Sequence, residues 1–320
     1  MKSFIFKLLK VVLLFYILAW GLQWVIERGL YRTNDNTYGD WNRIKNDNVK
    51  ADIIVIGSSR AVVHFNPDSI QKYTGRSAYN LGINGARQAI TQARFQYYLS
   101  KTSKNPEWVV YSLDAFTVGK RDDLYEKQQY LPYLSDTSVL KPLSQIDPWL
   151  PVEAKIPLIK YRGFIAEIFR GIKGNFKPAD NYTRNRGFQF QRLKWDSSFD
   201  RQLRVLNGKP FLIDTSKLDF AWSNLQYICH LCKSKNIKLI VVSPPMLNEL
   251  VDIMSQLPSI HGKIKEITEQ AGFVYLDYTD NELSKDRKYF YNSTHLNGDA
   301  ANLFSTIFAK DINTIIQKEN

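Results

Sequence analysis

The stretch DIIVIGSSRAVVHFNP, Asp52 to Pro67, decides how this chain is to be read. Asp52–Ile56 is mostly β-branched and apolar, which suits a strand buried on both faces. The run ends abruptly in Gly57-Ser58-Ser59-Arg60. Serines often close a strand as a polar turn, so the stretch alone leaves two readings open, a turn or a nucleophile. The remaining residues separate them.

Similar runs recur. Ala78–Gly82, Trp108–Leu113, Lys238–Val242 and Phe273–Leu276 read as strands. Pro67–Tyr73, Arg87–Ser100, Leu218–Lys235, Asn248–Ala271 and Gly298–Gln317 read as amphipathic helices. Within Leu218–Lys235, Phe220, Leu225, Ile228, Cys229 and Cys232 recur mostly three or four apart and predict one buried stripe. Pro244-Pro245 closes the fourth strand, because proline cannot donate to a ladder. Alternating strands and helices predict an α/β fold with a doubly wound parallel five-stranded sheet. Ligands of such sheets sit beyond the carboxyl ends of the strands. The pattern breaks from about Gly119 to Lys217, a stretch rich in Tyr, Pro, Arg and Lys and short of strand runs. At this length it predicts a mostly helical or irregular insertion, such as a cap, rather than a simple loop.

The N-terminus is different in kind. Val11–Ile26 has no charged residue, and extension back to Phe4 gives an apolar run of about 23 residues. That is enough to cross ~30 Å of hydrocarbon if Lys7 and Lys10 snorkel. Trp20 and Trp24 suit an interfacial belt. Lys2, Lys7 and Lys10 favour a cytoplasmic N-terminus, with Arg28 and Arg32 weakening the bias. No small-x-small cleavage site follows, so residues 1–32 read as an uncleaved signal anchor rather than a removed signal peptide. The competing reading is an amphipathic first helix packed on the protein. Residues 33–50, polar and Asn-rich, read as a linker, and 51–320 as the main domain with its insertion at about 119–217.

The 320 residues are 44% hydrophobic, 13% aromatic and 23% charged, a globular composition with room for a large core. The net charge is +12, but the basic residues are dispersed and no nucleic-acid motif occurs. A membrane or glycan setting therefore ranks above nucleic acid. The only cysteines, Cys229 and Cys232, sit late in a predicted helix without further zinc ligands. They read as buried apolar residues, a disulfide remaining open. No cofactor and no metal is expected.

Polar groups gather at the predicted strand ends: Ser58, Ser59 and Arg60; Asn80, Gly82, Gly85 and Arg87; Ser112 and Asp114; Ser243; Asp277. A serine needs a base to become a nucleophile, and histidine is the usual one near neutral pH. Of the four histidines, His230 and His261 fall in predicted helices, and His64 lies close enough to the serines to contribute locally. His295 lies in the polar segment YFYNSTHLNGDAANLF before the last helix and is the best base. Serine after the first strand and histidine near the end do not follow the α/β-hydrolase order, and GSSRA lacks the last glycine of G-x-S-x-G. Phosphate binding by the serine turn is a weaker reading, because Pro67 predicts that the helix starts several residues later.

This ordered set resembles the SGNH (GDSL-like) hydrolase superfamily, from Asp52 to about Ile316 without the insertion. The resemblance implies the flavodoxin-like three-layer version of the fold. It places the nucleophile on Ser59 and the base on His295. It implies an oxyanion hole from the backbone of Ser59 and Gly85, and gives Asn292 the position of the acid in Asp-x-x-His. Two residues depart from the pattern. Asp114 stands where the third block offers an asparagine, and Asn292 stands where it offers an aspartate. Asp277 or Asp299 is then a candidate substitute acid, the alternative being a Ser–His dyad without one. Ser58, Arg60, Arg87, Asp114 and Asp277 are candidate support or substrate-binding residues, and the two arginines equally suit pairing with carboxylates. The chain most resembles membrane-anchored proteins of this type from alginate acetylation and teichoic-acid D-alanylation. That implies a periplasmic or extracellular domain, an acylated carbohydrate substrate, and a membrane-bound O-acyltransferase as partner. The alternative is a non-catalytic glycan- or partner-binding protein with a degenerate site.

Overall fold

The computed structural model describes residues 1–119 and 123–319; residues 120–122 of the expected insertion, and residue 320, lie outside the described residues. In chain order the elements run α1 (Lys2–Leu30), α2 (Gly39–Lys45), β1 (Ile53–Gly57), α3 (Ser59–His64), α4 (Pro67–Thr74), β2 (Ala78–Asn80), α5 (Gln88–Lys101), β3 (Trp108–Ser112) and α6 (Ala115–Val118). They continue with α7 (Thr137–Leu143), α8 (Leu150–Lys155), α9 (Ile165–Gly174), α10 (Ser198–Leu206), α11 (Leu218–Ser234), β4 (Lys238–Ser243), α12 (Asn248–Val251), α13 (Leu257–Gln270), β5 (Val274–Asp277), β6 (Phe290–Asn292), β7 (His295–Leu296) and α14 (Gly298–Lys318). Two compact units result, one from residues 1–48, 96–101 and 123–183, the other from 49–95, 102–119 and 184–319.

In the first unit, α1 is long and apolar enough to cross a membrane, and its side chains before Gln23 are largely exposed. Its C-terminal turns pack on α9 through glycines: a Cβ at Gly29 would fall 1.7 Å from the Gly171 carbonyl oxygen. The expected linker at 33–50 is corrected here. Trp41 is fully buried, stacked on Tyr133 at 5.2 Å and edge-on to Tyr130 at 5.8 Å. Asn42 donates to the Leu30 and Thr33 carbonyls and accepts from the Tyr133 hydroxyl at 2.6 Å. A polar composition concealed this packing, because each buried amide finds backbone or side-chain partners. The expected insertion is likewise divided, 123–183 belonging to this unit and 184–217 to the other.

In the second unit, five parallel strands lie in the order β2-β1-β3-β4-β5. This is the flavodoxin-like order, with its switch point between β1 and β3. The β-branched runs of β1, β3 and β4 are buried, as strands covered on both faces must be, whereas β5 is a half-exposed edge. Each expected strand is present within a residue or two.

Local chemistry moved three expectations. The first helix after β1 starts at Ser59, not Pro67, because Ser58 caps it and accepts from the Arg60 N–H. Pro67 opens a second helix, capped by Asn66. The expected Asn248–Ala271 helix is broken into α12 and α13, the latter restarting with Pro258 in its first turn. On α11, Leu225, Ile228, Cys229 and Cys232 are buried as expected, but Phe220 faces solvent. Both cysteines are free thiols, and burial pushes Cys229 up to about 11.

Candidate active site

The site lies at the carboxyl ends of β1, β2 and β3. Gly57 ends β1 at φ 144°, and a Cβ there would meet the Ser112 carbonyl oxygen at 2.6 Å. Only glycine lets the chain turn this tightly against the neighbouring strand. Ser59 is the first residue of α3, so its N–H has no intrahelical acceptor. Buried Asn80, at the end of β2, ties the β2 loop to α3. Its amide donates to the Ala61 and Phe65 carbonyls and its oxygen accepts the Gly82 N–H. Gly85 follows in that loop at φ 66°.

His295 comes from the far end of the chain on the short β6–β7 hairpin. Ser59 Oγ and His295 Nε2 are 2.8 Å apart. The other ring nitrogen lies 2.9 Å from Asn292 Oδ1 and 2.9 Å from Thr294 Oγ1. Asn292 Oδ1 also accepts the backbone N–H groups of Thr294 (3.1 Å) and His295 (3.0 Å). Those two donors fix the amide with its oxygen toward the ring. Nδ1 therefore carries the proton, and Nε2 presents its lone pair to the serine. Tyr291 stacks on the ring at 5.3 Å.

His64 is buried behind this pair. Its Nε2 accepts the Leu296 N–H at 3.0 Å, and its ring meets the His295 ring edge-on at 6.2 Å. It locks the hairpin rather than touching the serine. Burial holds His64 well below the ordinary histidine value. Burial, with the Arg60 charge adding to it, also lowers His295, to about 4, while Asp114 pulls weakly the other way. Both rings are neutral at physiological pH.

The two sequence departures have different outcomes. Asp114 is fully buried, caps α6 through the Phe116 and Thr117 N–H groups, and pairs with Arg60 at 3.0 Å. Arg60 is equally buried and also donates to the Pro244 and Pro245 carbonyls at 2.6 and 2.8 Å. Burial would raise the Asp114 carboxyl, but Arg60, Thr117 and Arg87 outweigh it and leave it below its ordinary value. Asp114 is thus a neutralised strut between strand ends. Asn292 does occupy the place behind the histidine, without a charge. Asp277 does not substitute for it: its carboxylate faces His261 at 2.9 Å and caps Thr279. Asp299, in the first turn of α14, does not line this pocket either. Ser58, Ser59, Arg60, Gly85, Arg87, Asp114, Thr294 and His295 share one pocket of about 210 Å³. Thr294 and Tyr291 were not singled out by the sequence, although the NSTH segment that contains Thr294 was. Among the described residues no His, Cys, Asp or Glu cluster could hold a metal.

The fold and site define a hydrogen-bonded serine–histidine pair at the switch point of a flavodoxin-like sheet. No protein-family model matches the chain, and no curated protein matches it. Among solved structures it is similar to a GDSL-like lipase from Bacteroides thetaiotaomicron, with TM-score 0.40 and 13% identity over 82% of this chain and 88% of that one. It is also similar to an active-site mutant of a family two carbohydrate esterase from Clostridium thermocellum, with TM-score 0.37 and 9% identity over 83% of this chain and 64% of that one. At these identities the chemistry rests on the site itself.

Proposed function

We propose that the chain is a membrane-anchored, extracytoplasmic O-acyl esterase or acyltransferase of SGNH type, acting on an acylated cell-envelope carbohydrate. The observation that carries this reading is the 2.8 Å contact between Ser59 Oγ and His295 Nε2, with the Nδ1 proton held on the far side. Ser59 Oγ attacks the acyl carbonyl while Nε2 takes its proton. The Ser59 N–H and that of Gly85 hold the oxyanion. The sugar oxygen leaves with the proton from Nε2, and the acyl group stays on Ser59. Water or a second hydroxyl then gives its proton to Nε2, attacks the ester and frees the serine. A membrane-bound O-acyltransferase fits as the partner that supplies or receives the acyl group.

A neutral amide behind the histidine favours a second reading, in which the pocket binds a glycan or partner without turnover. Ser59→Ala in the full-length chain, assayed on a chromogenic acetyl ester, separates the two. The enzyme reading expects turnover that falls at least a hundredfold with unchanged melting. Equal turnover in both proteins overturns it.

A further inference from the structure

The unit that carries α1 leaves a second apolar surface bare. α9 has two faces. Glu167, Gly171 and Gly174 form one stripe and are buried. Ile165, Phe169 and, two residues past the helix end, Phe176 form the opposite stripe. At about 100° per residue, an offset of two positions turns a side chain to the far side. Phe169 is 68% exposed and Phe176 86%. At α8, Trp149, 71% exposed, and Val152 are bare as well. Exposed Lys155, Arg162, Lys173 and Lys177 flank them.

This surface is fastened to α1 at one level. Gln23 Oε1 accepts the Leu158 N–H at 2.8 Å, Glu27 pairs with Lys160 at 2.6 Å, and the Val25 carbonyl accepts from Asn175 at 2.8 Å. Gln23 is also the first residue of α1 that the protein buries. From Phe4 to Gln23 the helix rises about 29 Å, close to the ~30 Å of a bilayer's hydrocarbon. The protein therefore closes around α1 just where the helix would leave the membrane.

We infer that α8, α9 and the Phe176 turn form an interfacial foot, laid in the headgroup layer of the bilayer that α1 spans. Aromatic and aliphatic side chains enter the acyl boundary, and the flanking lysines and arginine meet anionic headgroups. The foot lies at the level where α1 leaves the hydrocarbon, and this selects a bilayer over a soluble partner. It rests on α1 spanning the membrane.

The test uses the full-length chain in phosphatidylglycerol–phosphatidylcholine vesicles. Nitroxides are placed singly by Phe169→Cys, Phe176→Cys, Leu13→Cys in α1, and Val205→Cys on exposed α10. The native cysteines are buried and do not compete for label. Relaxation by oxygen is compared with relaxation by a water-soluble nickel complex. The foot predicts that labels 169, 176 and 13 favour oxygen at least threefold relative to label 205. Water-like values at 169 and 176, with label 13 in lipid, overturn the foot and leave the span standing. Shielding of 169 and 176 from both reagents means that protein covers the face, and also overturns it. A water-like label 13 overturns the span and the foot together. Vesicles of phosphatidylcholine alone should draw 169 and 176 toward water and leave 13 unchanged; equal depth in both vesicles overturns the headgroup contacts.

Discussion

Asn292→Asp should turn a poorly supported base into a well supported one. The new carboxylate oxygen would lie 2.9 Å from His295 Nδ1, where the amide oxygen lies now. It would keep the N–H groups of Thr294 and His295 as donors, so its position is already built. Charge centres about 4 Å apart attract by about 4 kcal/mol at an effective dielectric near 20. Asn292 is half-buried, and desolvation of the carboxylate offsets part of this. A net of about 1.5–3 kcal/mol remains for the imidazolium that forms as Ser59 loses its proton. That is one to two units in the histidine pKa and about 10–100-fold in acylation rate. The assay is kcat/KM against pH on a chromogenic acetyl ester. With His295 near 4, the wild-type acid limb should fall near pH 4 rather than 6.5. In Asn292→Asp that limb should move to about 5–6 while the plateau rises. A plateau that is unchanged or lower, with melting unaltered, would refute the reasoning: imidazolium formation would not limit the reaction, or the pair would not perform it.

Three further outcomes follow from the same geometry. Between pH about 6.5 and 4 the unfolded chain binds a proton that native His295 refuses, so stability should decline as pH falls through that window, by at most about 3 kcal/mol from this residue. His64 acts in the same direction; urea unfolding across pH 4–7 checks the sign, and His64→Gln should flatten the slope. Arg60→Met leaves Asp114 buried without its partner and should destabilise by about 3–5 kcal/mol, with part of the loss recovered in Arg60→Met/Asp114→Asn, which removes the charge and keeps the oxygen that caps α6, by denaturant titration. Gly57→Ala forces a Cβ toward the Ser112 carbonyl at a backbone angle it disfavours, and should cost about 1–3 kcal/mol in the same titration.

The layer architecture and the strand ends were legible in residue order alone. Buried parallel strands need uninterrupted β-branched runs, and Asp52–Ile56, Trp108–Leu113 and Lys238–Val242 supply them. Residue order also brought Ser59 and His295 into view, because few residue types can do nucleophilic or base chemistry and only their order in the chain had to be read. The apolar run from Phe4 was equally plain, since helix length and hydrocarbon thickness are one comparison. Partners across the sheet were beyond it. Whether Asp114 is a hazard to an oxyanion or a neutralised cap depends on Arg60, which is distant in sequence and 3.0 Å away in space. Whether Asp277 could stand behind His295 depends on where β5 ends, and there it meets His261 instead. The packing of Thr33–Asn48 was hidden for a related reason: its burial rests on Trp41 and Asn42 finding Tyr130 and Tyr133, a match no local pattern encodes. Local sequence sets what each segment is, because backbone sterics and hydrophobic period act over a few residues. Tertiary contact sets which charges are paired and which faces are covered, because those energies depend on distances that the chain order does not contain.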